Sequence, residues 1–274
     1  MTGLPFSKLY IDTRFKTTDS ISNSDFKYQL RVPASMPVNT TFCIDEKNIP
    51  YAWNTIETDI NDKLYVIWQL TLAANAVYTV ITIPPKRYAG TDLATQIQTQ
   101  LNAAGAGTWV ITYDFVSNTM NFATTNGYHF KICTDDDLVF FALNYPTLNK
   151  NNPQSINEIL QIAGSSIFNY NSPTNSFTTG FLNLLNYQDI YITSGNLSSF
   201  DAQGARGESS VIRKICVNAA WGFSIIDKLS WNADRMSCSK LALSTLDFQL
   251  RDVRGRIIPL HGAHLSFTIR FQAN

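Results

Sequence analysis

The sequence predicts a mainly β protein, and three observations predict it. Its 274 residues hold 27 Thr and 24 Asn but only four Glu: Glu46, Glu57, Glu158 and Glu208. Thr suits a pleated strand, Asn populates turns and Glu favours helices, so the imbalance asks for many strands joined by many turns. Several stretches alternate strictly between apolar and polar residues, and few carry the 3.6-residue period of a helix. A helical bundle or coiled coil is excluded.

Phe26, Tyr28, Leu30 and Val32 share one face of a strand; Leu64, Val66, Trp68, Leu70 and Leu72 share another; Leu265, Phe267, Ile269 and Phe271 share a third. Each reads as a half-buried strand. Leu241 and Leu243 fall in one phase but Leu246, Phe248 and Leu250 in the other, so a β-bulge is expected near Ser244 and Thr245. Further strands are expected at 41–48, 77–83, 109–113, 120–123, 128–132, 187–193, 211–217 and 221–226. Asn126 and Gly127 suit a type I′ hairpin turn between two of these. A two-residue loop there would pair Phe122 with Lys131 and Ala123 with Phe130, placing the apolar residues of the two strands on opposite faces. A longer or bulged turn is therefore expected, unless both faces of the hairpin are covered.

Three helices are expected. Leu93, Ile97 and Leu101 form a stripe over 92–104, with Thr91 as cap and Gly105 as stop. Ser155 and Glu158 match a capping box that opens a short helix through Ile159, Leu160 and Ala163 to Gly164. Asp135, Asp136 and Asp137 precede an apolar run at 138–143, where carboxylates suit the positive end of a helix dipole. Residues 1–60 and 176–274 are nearly pure β, 61–150 mix strands with a helix, and 151–175 form an Asn-rich loop with a short helix. One β-sandwich built from both flanks and interrupted by an α+β insertion is expected, with two tandem β-sandwich domains as the alternative.

Twenty-one basic and 21 acidic residues leave no net charge, and therefore no electrostatic footprint for nucleic acid. No apolar run is long enough for a membrane span, and the first eight residues lack the apolar core of a secretory signal. Cys43, Cys133, Cys216 and Cys238 are far apart without a C-x-x-C or a histidine pair, so reduced, mostly buried thiols are expected rather than zinc ligands or disulfides. The sequons at Asn39 and Asn196 carry no weight in an Asn/Thr-rich chain. Nucleophilic catalysis needs an oriented base, yet His129, His261 and His264 come without a nucleophile elbow and read as turn or surface residues. The run Asp135 to Asp137 reads as helix capping, because consecutive residues do not converge on a metal. Gly105-Ala106-Gly107 follows a helix where a dinucleotide fingerprint precedes one, and reads as a stop and loop. Arg251, Arg254 and Arg256 read as a solvated hairpin tip, with a basic contact patch as the alternative. The 17 Phe, 12 Tyr and five Trp fall mostly in phase with the strands, so the core claims them before any stacked ligand. No catalytic, cofactor-binding or metal residue is assigned, and no cofactor is expected.

Taken together, longer stretches carry a resemblance. Leu9-Tyr10-Ile11-Asp12-Thr13-Arg14, Ser24-Asp25-Phe26-Lys27-Tyr28-Gln29-Leu30 and Asn48-Ile49-Pro50-Tyr51-Ala52-Trp53 open the chain. Ile83-Pro84-Pro85-Lys86-Arg87-Tyr88 and Ile111-Thr112-Tyr113-Asp114 lie in its middle, and Leu246-Asp247-Phe248-Gln249-Leu250-Arg251-Asp252-Val253-Arg254-Gly255-Arg256 near its close. This pattern resembles minor capsid and penton-type proteins of double-stranded DNA viruses with double jelly-roll major capsids, a group that includes virophages, Polinton-like viruses and nucleocytoplasmic large DNA viruses. The resemblance implies an antiparallel jelly-roll β-sandwich and a structural, non-enzymatic subunit of the virion capsid, synthesised in host cytoplasm. It implies a homo-oligomer, a homopentamer ahead of a trimer, docked to the major capsid protein without binding nucleic acid directly. A receptor- or glycan-binding spike domain of such a particle is the alternative.

Overall fold

The alternation becomes a set of antiparallel sheets. In a computed structural model, residues 4–69, 75–105, 107–125, 129–149, 153–162, 176–197, 202–227 and 234–273 are described. The chain opens with β1 (Lys8–Asp12), a single 3-10 turn, β2 (Asp25–Ser35) and β3 (Thr40–Pro50). It continues with β4 (Lys63–Gln69), β5 (Val77–Thr82), α1 (Gly90–Ala103), β6 (Trp109–Asp114), β7 (Thr119–Thr124), β8 (His129–Ile132), α2 (Leu138–Asn144), α3 (Asn157–Leu160) and β9 (Ser176–Thr178). It closes with β10 (Asp189–Thr193), β11 (Val211–Cys216), β12 (Ser224–Asp227), β13 (Met236–Ser237), β14 (Ala242–Arg251) and β15 (Ser266–Ala273). These elements form two compact units, Met1–Trp53 with Tyr187–Asn274, and Asn54–Asn186.

In the first unit one sheet runs β1-β15-β3-β12, with β13 also on β3, and the other runs β11-β10-β14-β2. Apart from the β10–β11 hairpin and the short β13, the chain changes sheet with each new strand. That hand-over, in antiparallel pairs, is a jelly-roll β-sandwich. Because β1 pairs with β15 and β2 with β14, both chain flanks share the same two sheets, so tandem sandwiches are not formed. Phe26, Ile192, Leu246 and Phe248 of one sheet and Ile44, Ile49, Phe267 and Ile269 of the other share one buried core. The Phe248 ring lies 5.5 Å from Phe26 and 5.0 Å from Phe267, which ties the two layers together. Burying one such side chain stabilises the fold by roughly 1.5–3 kcal/mol.

The phase change in β14 is present, and its partner strand explains it. Gln29 faces Thr245 and Ala34 faces Leu243, so five steps along β2 oppose two along β14. The extra residues therefore belong to β2. Val32, expected on the buried face with Phe26 and Leu30, lies in this looped-out stretch and is 74% exposed.

The second unit holds two three-stranded sheets, β5-β4-β8 and β6-β7-β9. Leu93, Ala94, Ile97 and Leu101 of α1 pack with Leu64, Val66, Ile111, Met120 and Phe122. β4 is not half-buried as its alternation suggested. Tyr65 and Ile67 on its other face are covered by Leu138 and Phe141 of α2, together with Cys133. The expected 120–123/128–132 hairpin does not form. β7 pairs with β6 and β9, while β8 pairs with β4 in the other sheet. The clash of apolar phases was the sign of strands that are not partners.

Helix starts also shift. α1 begins at Gly90 after Ala89, with no side-chain cap, so Thr91 lies inside the helix instead of capping it. A Cβ on Gly90 would come within 2.5 Å of the Tyr113 ring, so packing on β6 fixes where the helix begins. Gly105, at φ +72°, ends it as expected. Ser155 does accept from the Asn157 amide at 3.0 Å, but α3 is one turn long and Gln161 closes it in the left-handed region. Leu70, Leu72, Asn126, Gly127, Tyr128, Ala163, Gly164 and most of the Asn-rich stretch lie outside the described residues.

Candidate functional site

The residues singled out in the sequence do not converge on a catalytic constellation. His129 stands on β8 opposite Gln69 of β4. His264 Nδ1 lies 3.1 Å from Thr13 Oγ1, which also accepts from the Leu265 amide at 3.2 Å, and Asn23 Nδ2 donates to the Gly262 and Ala263 carbonyls. This clamp joins the end of β1 to the turn before β15, where His261 adopts φ +47°. Asp137 is buried and accepts from the Thr134 amide at 2.9 Å and from Lys131 Nζ at 2.7 Å, while its own amide donates to Thr134 Oγ1. Thr134 and Asp137 thus form a capping box one turn ahead of α2. Asp135 turns away to accept from Asn157 Nδ2 at 2.8 Å. Gly105 and Gly107, at φ +72° and +89°, both lie beyond the end of α1. All four cysteines are unbridged, and Cys216 alone is exposed. Burial pushes the Cys238 thiol up to about 11 and raises Cys133 further. Among the described residues no group of three or more His, Cys, Asp or Glu is placed to hold a metal, and no helix is long and apolar enough to cross a membrane.

An ionic clasp, which sequence reasoning missed, joins the two sheets of the first unit at one edge. Lys47 Nζ, on a side chain with no accessible surface, meets Asp227 Oδ2 at 2.9 Å. Arg213 Nη2 meets the same oxygen at 2.8 Å and its Nη1 pairs with Asp234. Lys47 and Asp227 are register partners on β3 and β12 of one sheet, whereas Arg213 belongs to β11, the edge of the other. Burial lowers the Lys47 ammonium. Burial pushes the Asp227 carboxyl up, but hydrogen bonds from Lys47 and Arg213 outweigh it and hold the group below its ordinary value. The sequence did carry a signal: Lys47 falls in phase with Ile49 and Tyr51, both buried.

The arginine hairpin tip is solvated at Val253 and Arg254, as expected, but its flanking Arg251 and Arg256 are half-buried and held by hydrogen bonds. Asp252 accepts from the Arg254 and Arg256 amides at 2.9 and 2.8 Å and from Arg256 Nε at 2.7 Å. Arg251 instead donates Nε to Gln249 Oε1 at 2.9 Å and Nη1 to the Gly255 carbonyl. It lines a cleft of about 470 Å³ on the outward face of the β11-β10-β14 sheet. Ile190 and Ile192 of β10 point into the sandwich, so Tyr191 and Thr193 form the floor; Asp247, Gln249 and Arg251 alternate likewise with Leu246, Phe248 and Leu250. Arg206, Glu208 and Ser210 form one wall. Arg206 Nη1 donates to the Arg254 carbonyl at 2.5 Å, and Asp247 accepts from the Gly195 and Asn196 amides, each at 2.9 Å. Gly255, at φ +81°, sits where a Cβ would be 3.3 Å from Arg206 Nη1 and 3.7 Å from Arg251 Nη1.

No family model and no curated protein matches the sequence. Among solved structures the chain is similar to the selenomethionine-labelled mavirus penton protein, with a TM-score of 0.51 and 12% identity over 98% of this chain and 99% of that one. The structure of the Sputnik virophage by cryo-EM also matches, with a TM-score of 0.44 and 13% identity over 98% of each chain, a score too low to establish a common fold. At such identities the mavirus likeness is one of fold, and it agrees with the jelly-roll resemblance read from the sequence.

Proposed function

We propose that this chain, which shares its fold with a virophage penton protein, is a structural virion protein: a penton-type or minor capsid subunit that assembles with copies of itself and docks to a major capsid protein. The observation that carries the reading is the extent of the likeness, which takes in 98% of this chain and 99% of the mavirus penton protein and so includes the inserted unit as well as the sandwich. The exposed side chains support it. Tyr10, Phe15, Phe223 and Ile226 of the sandwich unit are each at least 60% exposed, and large apolar side chains in that state suit burial between subunits. A closed ring of identical copies, a pentamer ahead of a trimer, is the assembly proposed. The chain acts by contact and not by catalysis, in the virion. Peptide mass spectrometry on purified particles tests this: peptides of the chain are expected beside those of the major capsid protein, and its absence from intact particles would overturn the reading. The receptor- or glycan-binding alternative is favoured by one observation, the outward cleft of the first unit.

A further inference from the structure

We infer that the cleft over β10, β11 and β14 is a saccharide-binding site, with the Tyr191 ring as its floor and Arg251, Gln249, Arg206 and Glu208 as the groups that read sugar hydroxyls. The inference stands apart from the assembly reading, because it depends only on the outward face of one sheet.

The cleft, about 470 Å³, has the volume of a small-ligand site. Its chemistry narrows the ligand. Arg206, Arg251, Glu208, Asp247, Asp252 and Gln249 line it, so both signs of charge and an amide meet in one space. A simple anion would gain two guanidinium groups but face three carboxylates, and an apolar ligand would strip water from all of them. A pyranose suits both, since each hydroxyl donates and accepts, and neighbouring hydroxyls match a planar guanidinium, amide or carboxylate edge. The C–H face of the sugar requires an apolar plate. Tyr191 supplies it, facing Arg251 on β14 and Lys214 on β11 in register.

The walls are already held in place, which lowers the ordering cost of binding. Arg251 is fixed by Gln249 and the Gly255 carbonyl, and Arg206 by the Arg254 carbonyl. Neither guanidinium is engaged by a carboxylate in an ion pair among the described residues, so donors remain for a ligand. Glu208 is aligned by the Arg206 amide at 2.9 Å. Gly255 keeps the space beside the two Nη1 atoms open, and its left-handed φ disfavours any larger residue there.

Saturation-transfer NMR on the full chain tests the inference, using methyl α-mannoside, methyl α-glucoside, methyl β-galactoside and N-acetylglucosamine as probes, with sodium sulfate binding read separately by isothermal titration calorimetry. At least one sugar is expected to bind with a Kd of about 1 mM. Tyr191→Ala should weaken it by about tenfold and Tyr191→Phe should keep it, because the ring and not the hydroxyl is the floor. Arg251→Met should weaken it comparably, and it stands as the second variant if Tyr191→Ala does not fold. No transfer to any sugar at about 20 mM, binding of sulfate alone, or sugar binding unchanged in a Tyr191→Ala or Arg251→Met variant that melts like the parent would overturn the assignment. Failure here leaves the mass-spectrometric test of the capsid role untouched, and the reverse also holds.

Discussion

The two units solve the same problem, burying one face of a sheet, in different ways. The sandwich unit uses a single core between two sheets, and its strands come from both flanks of the chain: β1 closes on β15 and β2 on β14. The inserted unit is contiguous, and its central strand β4 feeds two separate cores, one under α1 and one under α2. The sandwich therefore depends on long-range closure, whereas the insert depends on helices that cover a small sheet on both faces. A jelly roll can carry so large an insertion because the insertion leaves and returns at one place. In the sandwich unit the Trp53 and Tyr187 rings are 5.8 Å apart, and in the insert Asn186 Nδ2 donates to the Asn54 carbonyl at 3.2 Å.

The largest expected effect breaks one unit and spares the other. Phe248→Ala removes the ring between the two layers of the sandwich and should cost about 3–5 kcal/mol. Native-state hydrogen exchange should then rise across β10, β14 and β15 while α1 and β4 stay protected; an equal rise in both units would show that they unfold together. The next tests the clasp. Lys47→Met leaves Asp227 with Arg213 alone and should cost about 1–3 kcal/mol in urea unfolding, with no change in exchange at α2. Its counterpart in the insert is smaller: Thr134→Val removes the capping box before α2 and should cost about 1 kcal/mol, read as faster exchange in α2 only.

The smallest effect is one of pH. The hydrogen bonds from Lys47 and Arg213 hold the Asp227 carboxyl below its ordinary value, so its contribution is fully present above the unfolded aspartate value of about 3.9 and is lost as pH falls through the lower folded value. The parent should therefore lose stability more steeply than Asp227→Asn in thermal melts taken from pH 5 downward. Parallel curves would show that the clasp adds nothing.

Much of this contrast was legible in the sequence, and the limits follow from what local patterns encode. Alternation found most of the sandwich strands because each has one wet and one dry face, but it missed β1 and the two-residue β13, which are too short to show a period. It missed the two-sided burial of β4, since Tyr65 and Ile67 become interior only when α2 covers them. It placed a bulge correctly in the β2–β14 pair, but the phase of β14 alone could not show that the extra residues are in β2. Pairing partners were the least legible feature: β7 and β8 are neighbours in sequence yet belong to different sheets. The clasp and the cleft escaped for a related reason. Lys47, Arg213 and Asp227, like Tyr191, Arg206 and Arg251, lie on separate strands or loops, and only the sheet order brings them together.

The assembly reading is tested most directly by the rotational symmetry of the purified, full-length chain in electron-microscopic class averages at micromolar concentration. A ring of five copies is the result expected of a penton-type subunit. A chain that stays monomeric there, and in the presence of the major capsid protein of its own particle, would contradict it.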